Sequence, residues 1–579
     1  MILQALVKYY EDLAKQGKIP KNGWAEGKVT FAIKIDDEGN LKEVINLMIE
    51  EERNKKKVLV PRNILIPAPV KRSSGVASNF LCDNSDYILG ISSKGKPDRT
   101  AQCFSDCKRL HSEILSGLEI PAGKAILKFF EKWDPSDYIA NTEITLYIDD
   151  ILSGCNITFM YGDVFLADIP EIASAWDKYY MTDNDMVNMP CLVTGKNASV
   201  EAVHPAIKGV KDSQSSGAAL ISFNAPAFLS YGKEQNYNSP VSKYAAFAYT
   251  TALNHLLSDR RNVNYIGDTA VLFWAEGGEQ AFKSLANMSL FGVGEKYTDS
   301  EIQNKIKRIA EGKSIEFEET LVDPERKFYV LGLAPNAARL SVRFFWQNSF
   351  GNFMKNISEH YRRIEITRPA YDSLQEIPLW KLLNETVNQN SKNKAASPIM
   401  SGQLLQAILT DGRYPTTLLD NVNIRIRADR EMNHYRAAII KAYYLKNKNK
   451  DVPEEVLQVA LNSESTNVPY NLGRLFSILE NIQQKANPGI NTTIRDKYFN
   501  SASATPSSVF PIILNLSQKH LSKIGGGLQV ILAKEMQDVI DKLGVEFPKR
   551  MNLAEQGSFQ LGYYHQTQAR YQGKNKEEK

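Results

Sequence analysis

Cysteine is scarce in this sequence, with five scattered residues among 579. The small, odd number argues against a disulfide framework and indicates reduced thiols in a cytoplasm. No apolar run approaches the roughly 20 residues that a membrane-spanning helix needs. The first residues also lack the basic segment and the small-residue cleavage site of a signal peptide. We therefore expect a cytoplasmic protein that makes no membrane contact.

Neither sign of charge dominates, because the formal net charge is only +4. Any surface that binds nucleic acid must therefore be local, and composition alone does not reveal it. The chain is long enough for two or more domains with large cores.

The motifs of several familiar catalytic sites are also missing. The glycine run Gly525–Gly527 has no following lysine, so it is not a phosphate-binding loop of the G-x-x-x-x-G-K-[ST] type. The patterns G-x-S-x-G, H-E-x-x-H and C-x-x-C are absent, and the seven histidines are dispersed. We expect no enzyme activity, no cofactor and no metal site. A site assembled from distant residues stays open as an alternative.

The acidic pair Asp149 and Asp150 is the specific candidate for such a site. Residues 141–168 are predicted to form strands, with the pair at the end of one of them. Paired carboxylates can hold Mg²⁺, so a metal-dependent nuclease is a second hypothesis. No further acidic cluster accompanies the pair in sequence, which favours a simple turn.

The pattern of apolar residues changes near residue 350. Before it, strand and helix patterns are mixed, including a predicted hairpin with Asp36–Gly39 as its turn. After it, helical periodicity dominates. The predicted fold class is α+β, with a mixed α/β N-terminal domain over 1–350 that carries irregular polar loops. An all-α bundle follows over 351–579.

A long polar segment, Lys208–Ser239, is the strongest candidate for a binding site. It places lysines, aromatic rings and many hydroxyl and amide side chains on a glycine-punctuated backbone. Lysines meet phosphates, amides reach base edges, and exposed rings stack on or wedge between bases. A polar surface loop over a β-layer is the alternative. The candidate residues are Lys208, Lys211, Gln214, Ser215, Ser216, Asn224 and Lys233.

A second segment, Pro69–Asn84, has similar chemistry, with a basic pair, small hydroxyls, a glycine and two asparagines. Lys94, Lys96 and Arg99 follow it in another polar loop. The alternative is a loop that caps a sheet edge, with the asparagines as turn formers. The candidates here are Lys71, Arg72, Ser73, Ser74, Asn79 and Asn84.

A basic helical stretch over 425–450 is the third candidate. A basic helix face is usually only a solvated face, but this density of positive charge suits a track for a nucleic-acid strand. The residues are Arg425, Arg427, Arg430, Arg436 and Lys441.

Several strings along the chain resemble the large subunit of the type I-C CRISPR surveillance complex, Cascade. The resemblance is collinear over nearly the whole chain. It lies in Met1–Tyr10, Pro69–Gly75, Asn79–Asn84, His204–Pro205, Ile207–Gly209, Gln214–Gly217, Ser222–Asn224, Ser230–Gln235, Phe328–Leu333, Pro335–Leu340, Gln556–Gly557, Phe559 and Leu561–Gln566.

The resemblance implies a binding subunit that is not an enzyme. Such a subunit sits at the 5′-handle end of a CRISPR RNA complex and recognises a short protospacer-adjacent motif (PAM) in double-stranded DNA. It promotes duplex opening and R-loop formation, and it holds the displaced strand for a recruited helicase-nuclease. The implied partners are CRISPR RNA, target DNA, and the handle-binding, backbone and small subunits. An RNA-binding scaffold without DNA recognition is the alternative.

The resemblance also implies that the C-terminal part, about 450–579, is produced separately as the small subunit from an internal start. The polar stretch Lys446–Pro453 has the character of an exposed linker at such a junction.

Overall fold

A computed structural model describes residues 1–53, 56–70, 72, 75–181, 187–259, 263–292, 297–372, 374, 376–392 and 394–577. The chain divides into two compact units. Met1 with residues 3–204 and 223–251 forms the first unit. Ile2 with residues 205–222 and 252–579 forms the second, and the division passes through one helix, Lys243–Ser258.

The described residues in the first half of the first unit form seven short strands and four helices. Its elements are α1 (Ile2–Lys15), β1 (Trp24–Val29), β2 (Phe31–Ile35), β3 (Leu41–Asn46), β4 (Ile49–Arg53), β5 (Lys56–Val60), β6 (Arg62–Pro67), β7 (Cys82–Asp83), α2 (Ser85–Ile88), α3 (Pro97–Leu115) and α4 (Pro121–Lys132). The rest of the unit contains α5 (Thr142–Thr145), α6 (Ile148–Leu152), β8 (Ile157–Tyr161), β9 (Val164–Phe165), α7 (Pro170–Met181), β10 (Asn188–Pro190), β11 (Asn197–Ser199) and α8 (Lys243–Ser258).

The main sheet of this unit has the strand order β3-β2-β8-β7, with β9 paired to β8. Strands β2 and β8 are parallel, and the remaining neighbours are antiparallel. Phe31, Ile33 and Phe159 point into a core that α3, α4 and α7 complete. Ala32 of β2 and Met160 of β8 lie on the opposite face in a smaller core with Ile66, so both faces of the sheet are covered.

The predicted hairpin turn is confirmed between β2 and β3. The Asp36 carboxylate accepts hydrogen bonds from the backbone N–H groups of Glu38 and Asn40, at 3.0 and 2.8 Å. Gly39 has a φ of 77°, and a Cβ there would lie 2.5 Å from the backbone nitrogen of Phe129 on α4. Both the backbone angle and the close approach of the helix therefore require glycine.

The second unit begins with a sheet and ends with helices. Its elements up to residue 349 are β12 (Asn264–Ile266), β13 (Thr269–Ala275), α9 (Gln280–Phe291), α10 (Asp299–Ala310), β14 (Ile315–Phe317), β15 (Thr320–Val322), β16 (Lys327–Asn336) and β17 (Arg339–Ser349). The helices that follow are α11 (Phe350–Ile364), α12 (Leu379–Asn384), α13 (Pro398–Leu409), α14 (Thr416–Asp429), α15 (His434–Asn447), α16 (Val468–Ala486), α17 (Ile494–Ala504), α18 (Pro506–Ile524), α19 (Gly526–Ile540) and α20 (Leu553–Glu577).

Four of these strands form an antiparallel sheet in the order β12-β13-β16-β17, and β14 pairs with β15 separately. Phe273 and Phe328 from this sheet pack against Phe353 of α11 at ring-centroid distances of 6.1 and 4.9 Å. One continuous hydrophobic core then runs from the sheet through the helices as far as Tyr564.

Helices α16 and α20 approach each other most closely at two glycines. A Cβ on Gly473 would lie 1.9 Å from the carbonyl oxygen of Phe559, and one on Gly562 would lie 2.0 Å from that of Tyr470. Only glycine permits this backbone-to-backbone contact.

The predicted fold class is confirmed, because strands and helices mix before residue 350 and the described chain after it is helical. The predicted domain boundary at 350 lies inside the second unit, where β17 leads directly into α11 and both belong to one core. The separate production of residues 450–579 stays a prediction.

Candidate nucleic-acid interface

A basic cleft of about 530 Å³ lies in the first unit, between the loop before β7 and the first turns of α2 and α3. It brings two of the predicted residues, Arg72 and Asn84, together with the basic side chains of the following loop. The lining residues are Arg72, Asn84, Asp86, Tyr87, Ser92, Lys94, Lys96, Arg99, Thr100 and Cys103. Lys71, Ser73 and Ser74 lie outside the described residues.

Arg72 is held as a structural group at one wall of this cleft. Its guanidinium forms a two-pronged ion pair with the carboxylate of Asp83, which is 2% exposed, and one of the two bonds measures 2.9 Å. The Nε atom donates to the carbonyl of Ala77 at 2.5 Å, and the guanidinium lies 4.0 Å from the ring centre of Tyr87. Although burial lowers the pKa of Arg72, the hydrogen bonds to Asp83 raise it overall. The charge of this arginine is therefore used to neutralise a buried carboxylate and is not available to a phosphate.

The two asparagines of this segment also shape the loop. The Asn79 Oδ1 atom accepts from the backbone N–H of Val70 at 2.9 Å. The Asn84 Oδ1 atom accepts from the backbone N–H of Asp86 at 3.1 Å and caps α2. Their acceptor atoms are thus occupied by backbone, as the turn-former interpretation of these residues proposed.

The exposed positive charge of the cleft comes from the loop that precedes α3 and from the first turn of that helix. Lys94 reaches Asp86 at 3.3 Å, and Arg99 donates to the carbonyl of Gly75 at 2.9 Å. Lys96 is exposed and occupies the N-cap of α3, where Pro97 starts the helix. Sequence reasoning noticed these three residues without assigning them to a site. Lys94 and Lys96 lie directly before this proline-initiated helix and Arg99 lies in its first turn. This position is the signal that links the three, because a helix N-terminus adds partial positive charge.

The first part of the predicted segment Lys208–Ser239 lies in residues 205–222 of the second unit, and hydrogen bonds close these residues into a loop. Ile207 and Ala218 pair as in an antiparallel ladder, with N–O distances of 2.9 and 2.8 Å. Ala219 then pairs with the end of the β16–β17 hairpin, donating to Ala338 at 3.0 Å and accepting from Leu340 at 2.9 Å. The loop therefore has a defined conformation at the edge of the sheet.

Two side chains from neighbouring elements fix the backbone of this loop further. Asn254 of α8 accepts from the backbone N–H of Lys208 at 2.8 Å and donates to the carbonyl of Ala206 at 3.1 Å. The Tyr265 hydroxyl accepts from the N–H of Lys211 at 3.2 Å and donates to the carbonyl of Gly209 at 3.1 Å. The five predicted residues here all remain exposed, namely Lys208, Lys211, Gln214, Ser215 and Ser216.

Asn224 and Lys233 are exposed as well, but they belong to the first unit. The backbone around Lys233 forms a tight turn, because its N–H donates to the carbonyl of Ser230 at 3.0 Å. The long polar segment predicted as one feature is thus shared between the two units.

The predicted basic track on residues 425–441 needs correction. Arg436 is 4% exposed and ion-pairs with Glu385 at 2.7 Å and Asp429 at 2.5 Å. Lys441 is 2% exposed, and its ammonium donates to the carbonyl of Arg363 at 2.9 Å. Burial lowers the pKa of Lys441 to about 8. Both residues are buried inside the helical region, so a strand could not reach them.

The remaining three residues of the track differ among themselves. Arg425 is half-buried and paired with Asp429, whereas Arg427 and Arg430 are exposed. Arg427 also donates to the side chain of Gln556 at 3.0 Å. Only Arg427 and Arg430 of the five predicted residues therefore keep a role in contacting a strand as a hypothesis.

Asp149 and Asp150 lie on a short helix, α6, and not at the end of a strand. The prediction of strands over 141–168 is wrong for its first part, where Asn141 caps α5 by accepting from the backbone N–H groups of Glu143 and Ile144. Both aspartates are exposed. Within the described ranges, no three histidine, cysteine or acidic side chains form a group that could hold a metal ion.

A cleft of about 760 Å³ in the second unit has the opposite electrostatic character. Asp299, Glu318 and Glu376 line it, and burial raises the pKa of Glu376 to about 7. Carboxylates repel phosphates, so the charge of this cleft disfavours nucleic-acid binding.

Among the described residues, none of the helices combines the length and the hydrophobicity that a membrane span requires.

Exposed lysines and amides can contact phosphates and base edges, so these loops are a candidate nucleic-acid interface. A model described as CRISPR-associated protein (Cas_Csd1) matches residues 6–571, so the chain belongs to the Cas_Csd1 family. A comparison with curated proteins found no match. The family match supports the expected CRISPR-associated function of a Cascade-type large subunit.

Proposed function

We propose that this chain is the non-catalytic large subunit of a type I-C Cascade and that it recognises the PAM in double-stranded target DNA. In this role it promotes duplex opening, holds the displaced strand and presents it to a recruited helicase-nuclease. CRISPR RNA supplies sequence specificity by base pairing, while the protein reads only the short duplex motif.

The observation that carries the proposal is the loop over residues 205–222. Its backbone is held by Asn254 and Tyr265, yet Lys208, Lys211 and Gln214 extend from it into solvent. A rigid backbone places an amide against a base edge with little loss of conformational entropy, and the flanking lysines neutralise phosphates. An amide that enters the minor groove reads its acceptors only partially, which permits a relaxed motif.

The basic cleft of the first unit supports the same function by a different route. Lys94, Lys96 and Arg99 surround the start of α3, where positive partial charge favours a phosphate. Such contacts position DNA without reading its sequence. The exposed side chains of Arg427 and Arg430 could contact the phosphates of a displaced strand.

The test is binding of the complex, co-purified with CRISPR RNA, to duplexes that carry a matched target next to a randomised flank. Sequencing of the bound fraction should reveal an enriched motif for the wild type. Gln214→Ala should relax the enrichment, because each base-edge contact contributes about 1–3 kcal/mol of discrimination. The double variant Lys208→Gln with Lys211→Gln should weaken binding to all duplexes alike. The slope of log affinity against log salt concentration should become shallower by about one unit per lysine.

Three outcomes decide between the functions. Equal recovery of all flanks by the wild type would refute PAM recognition and favour an RNA-binding scaffold. Unchanged enrichment in Gln214→Ala, Asn79→Ala, Asn84→Ala and Asn224→Ala would show that the loops are only structural. Cleavage of DNA by the purified chain with Mg²⁺ or Mn²⁺, lost in Asp149→Ala, would overturn the proposal that it is not an enzyme.

A further inference from the structure

A single aromatic ring projects from the first unit at the tip of a tight turn. Tyr231 is 97% exposed, and it adopts a φ of 53°, in the left-handed region that non-glycine residues seldom occupy. The next residue, Gly232, has a φ of 67°. Lys233 and Ser230 pair across them as in a two-residue hairpin turn. Positive φ at both central positions is typical of such turns, which favour asparagine and glycine. A tyrosine in the first position is an exception.

The turn is anchored by one asparagine. The Oδ1 atom of Asn238 accepts from the N–H of Ser230 at 2.8 Å, and its amide donates to the carbonyls of Lys233 and Gln235 at 2.8 and 2.9 Å. The neighbouring Asn236 is buried, and its N–H donates to the carbonyl of Ala202 at 3.2 Å. The ring is therefore held away from the unit by a fixed backbone.

The surroundings of the ring favour a nucleobase over a pocket on another protein. The ring is almost fully exposed, and the other residues of the turn are polar or lack a side chain, namely Ser230, Gly232 and Lys233, while Phe228 and Leu229 before the turn are only partly exposed. Protein hot spots lie instead in well-packed apolar surroundings. A flat ring with a lysine two residues away can stack on a base while the ammonium meets the adjoining phosphate.

We propose that Tyr231 stacks on an unpaired base of the bound DNA and that Asn238 is the positioning residue that holds it there. This inference rests on the proposed function and names the residue that contacts the opened strand. A base becomes available for such stacking only when the duplex is locally open. Tyr231 should therefore favour opened DNA over fully paired DNA.

The experiment uses the full-length chain and two fluorescent 30-base-pair duplexes of one sequence, one fully paired and one with a central four-nucleotide bubble. Tyr231→Asn removes the ring while keeping a residue that tolerates positive φ. It should weaken binding to the bubble by about 5- to 150-fold, the range expected for loss of one base–aromatic stack. Binding to the paired duplex should change less than two-fold. Tyr231→Phe keeps the ring and should bind both probes like the wild type.

Asn238→Ala should reproduce part of the loss, because it frees the turn without removing the ring. Tyr371→Asn is the matched control, since Tyr371 is also highly exposed, at 83%, but lies in the second unit. It should leave both affinities unchanged.

Equal bubble binding by wild type and Tyr231→Asn would overturn the inference. The proposed function would survive that result if Lys208→Gln with Lys211→Gln still weakened DNA binding. A wild type that binds neither probe at low salt would also overturn the inference, and the proposed function would then be decided by the binding test on the complex. Loss of association with another subunit in Tyr231→Asn, with bubble binding intact, would show a protein contact and also overturn the inference.

Discussion

Replacing Arg72 by alanine should destabilise the first unit strongly, even though this residue lies in an exposed loop. The structure supplies the magnitude. The Asp83 carboxylate is 2% exposed and accepts two bonds from Arg72 and one each from the backbone N–H groups of Asn79 and Asn84, both at 2.9 Å.

Removing the guanidinium leaves this buried carboxylate with two neutral donors and no counter-charge. Breaking a buried ion pair in this way costs about 3–5 kcal/mol. The Arg72 side chain is 26% exposed, so water can enter and reduce the loss. We expect a loss of about 2–4 kcal/mol in the free energy of local unfolding, with the lost contact to Tyr87 included.

Hydrogen exchange measured by mass spectrometry suits this test, because it separates the two units by peptide. Peptides from α2, β7 and β8 should exchange faster in Arg72→Ala than in the wild type. Arg72→Ala combined with Asp83→Asn should recover part of the protection, since it removes the buried charge. Lys96→Ala is the control from the same cleft and should stay within about 0.5 kcal/mol of the wild type. Equal protection in Arg72→Ala and Lys96→Ala would refute the assignment of Arg72 as a structural group.

Three other predictions concern the second unit. Gly473→Ala should cost about 3 kcal/mol in denaturant unfolding, because a Cβ would lie 1.9 Å from a backbone oxygen; Gly402→Ala, which meets open space, should cost nothing. Lys441→Met should be more stable than the wild type at pH 7. Because burial lowers the Lys441 pKa to about 8 from its usual 10.5, the wild type gains stability as the pH rises from 8 to 10.5. The difference in free energy of unfolding between Lys441→Met and the wild type should therefore shrink by about 3 kcal/mol over this pH range. Urea unfolding at the two ends of the range measures it, and a difference that does not change with pH would contradict the prediction. A fragment of residues 453–579 should show a helical circular-dichroism spectrum, and a C-terminal tag on the full gene should reveal a second, shorter product; an unfolded fragment with a single band would refute the separate small subunit.

Local chemistry allowed several features to be predicted from the sequence. The Asp36–Gly39 turn was predictable because its hydrogen bonds are made by neighbours along the chain. The change from mixed to helical structure near 350 was predictable because apolar periodicity directly reflects the type of element. The exposure of Lys208, Lys211 and Gln214 followed from a polar, glycine-punctuated segment that no core could bury.

Tertiary structure alone decided which charged residues are accessible. Arg436 and Lys441 carry the same charge as Arg427, but α15 is surrounded by other helices and α14 leaves Arg427 at the surface. Partners distant in sequence, such as Glu385 and Arg363, are what make the buried positions tolerable. In the same way, the pairing of Arg72 with Asp83 and the grouping of Lys94, Lys96 and Arg99 around one cleft depend on how the chain folds back on itself. Burial and ion pairing depend on residues that are distant in sequence. No local sequence pattern could therefore distinguish the buried basic side chains from those that a phosphate can reach.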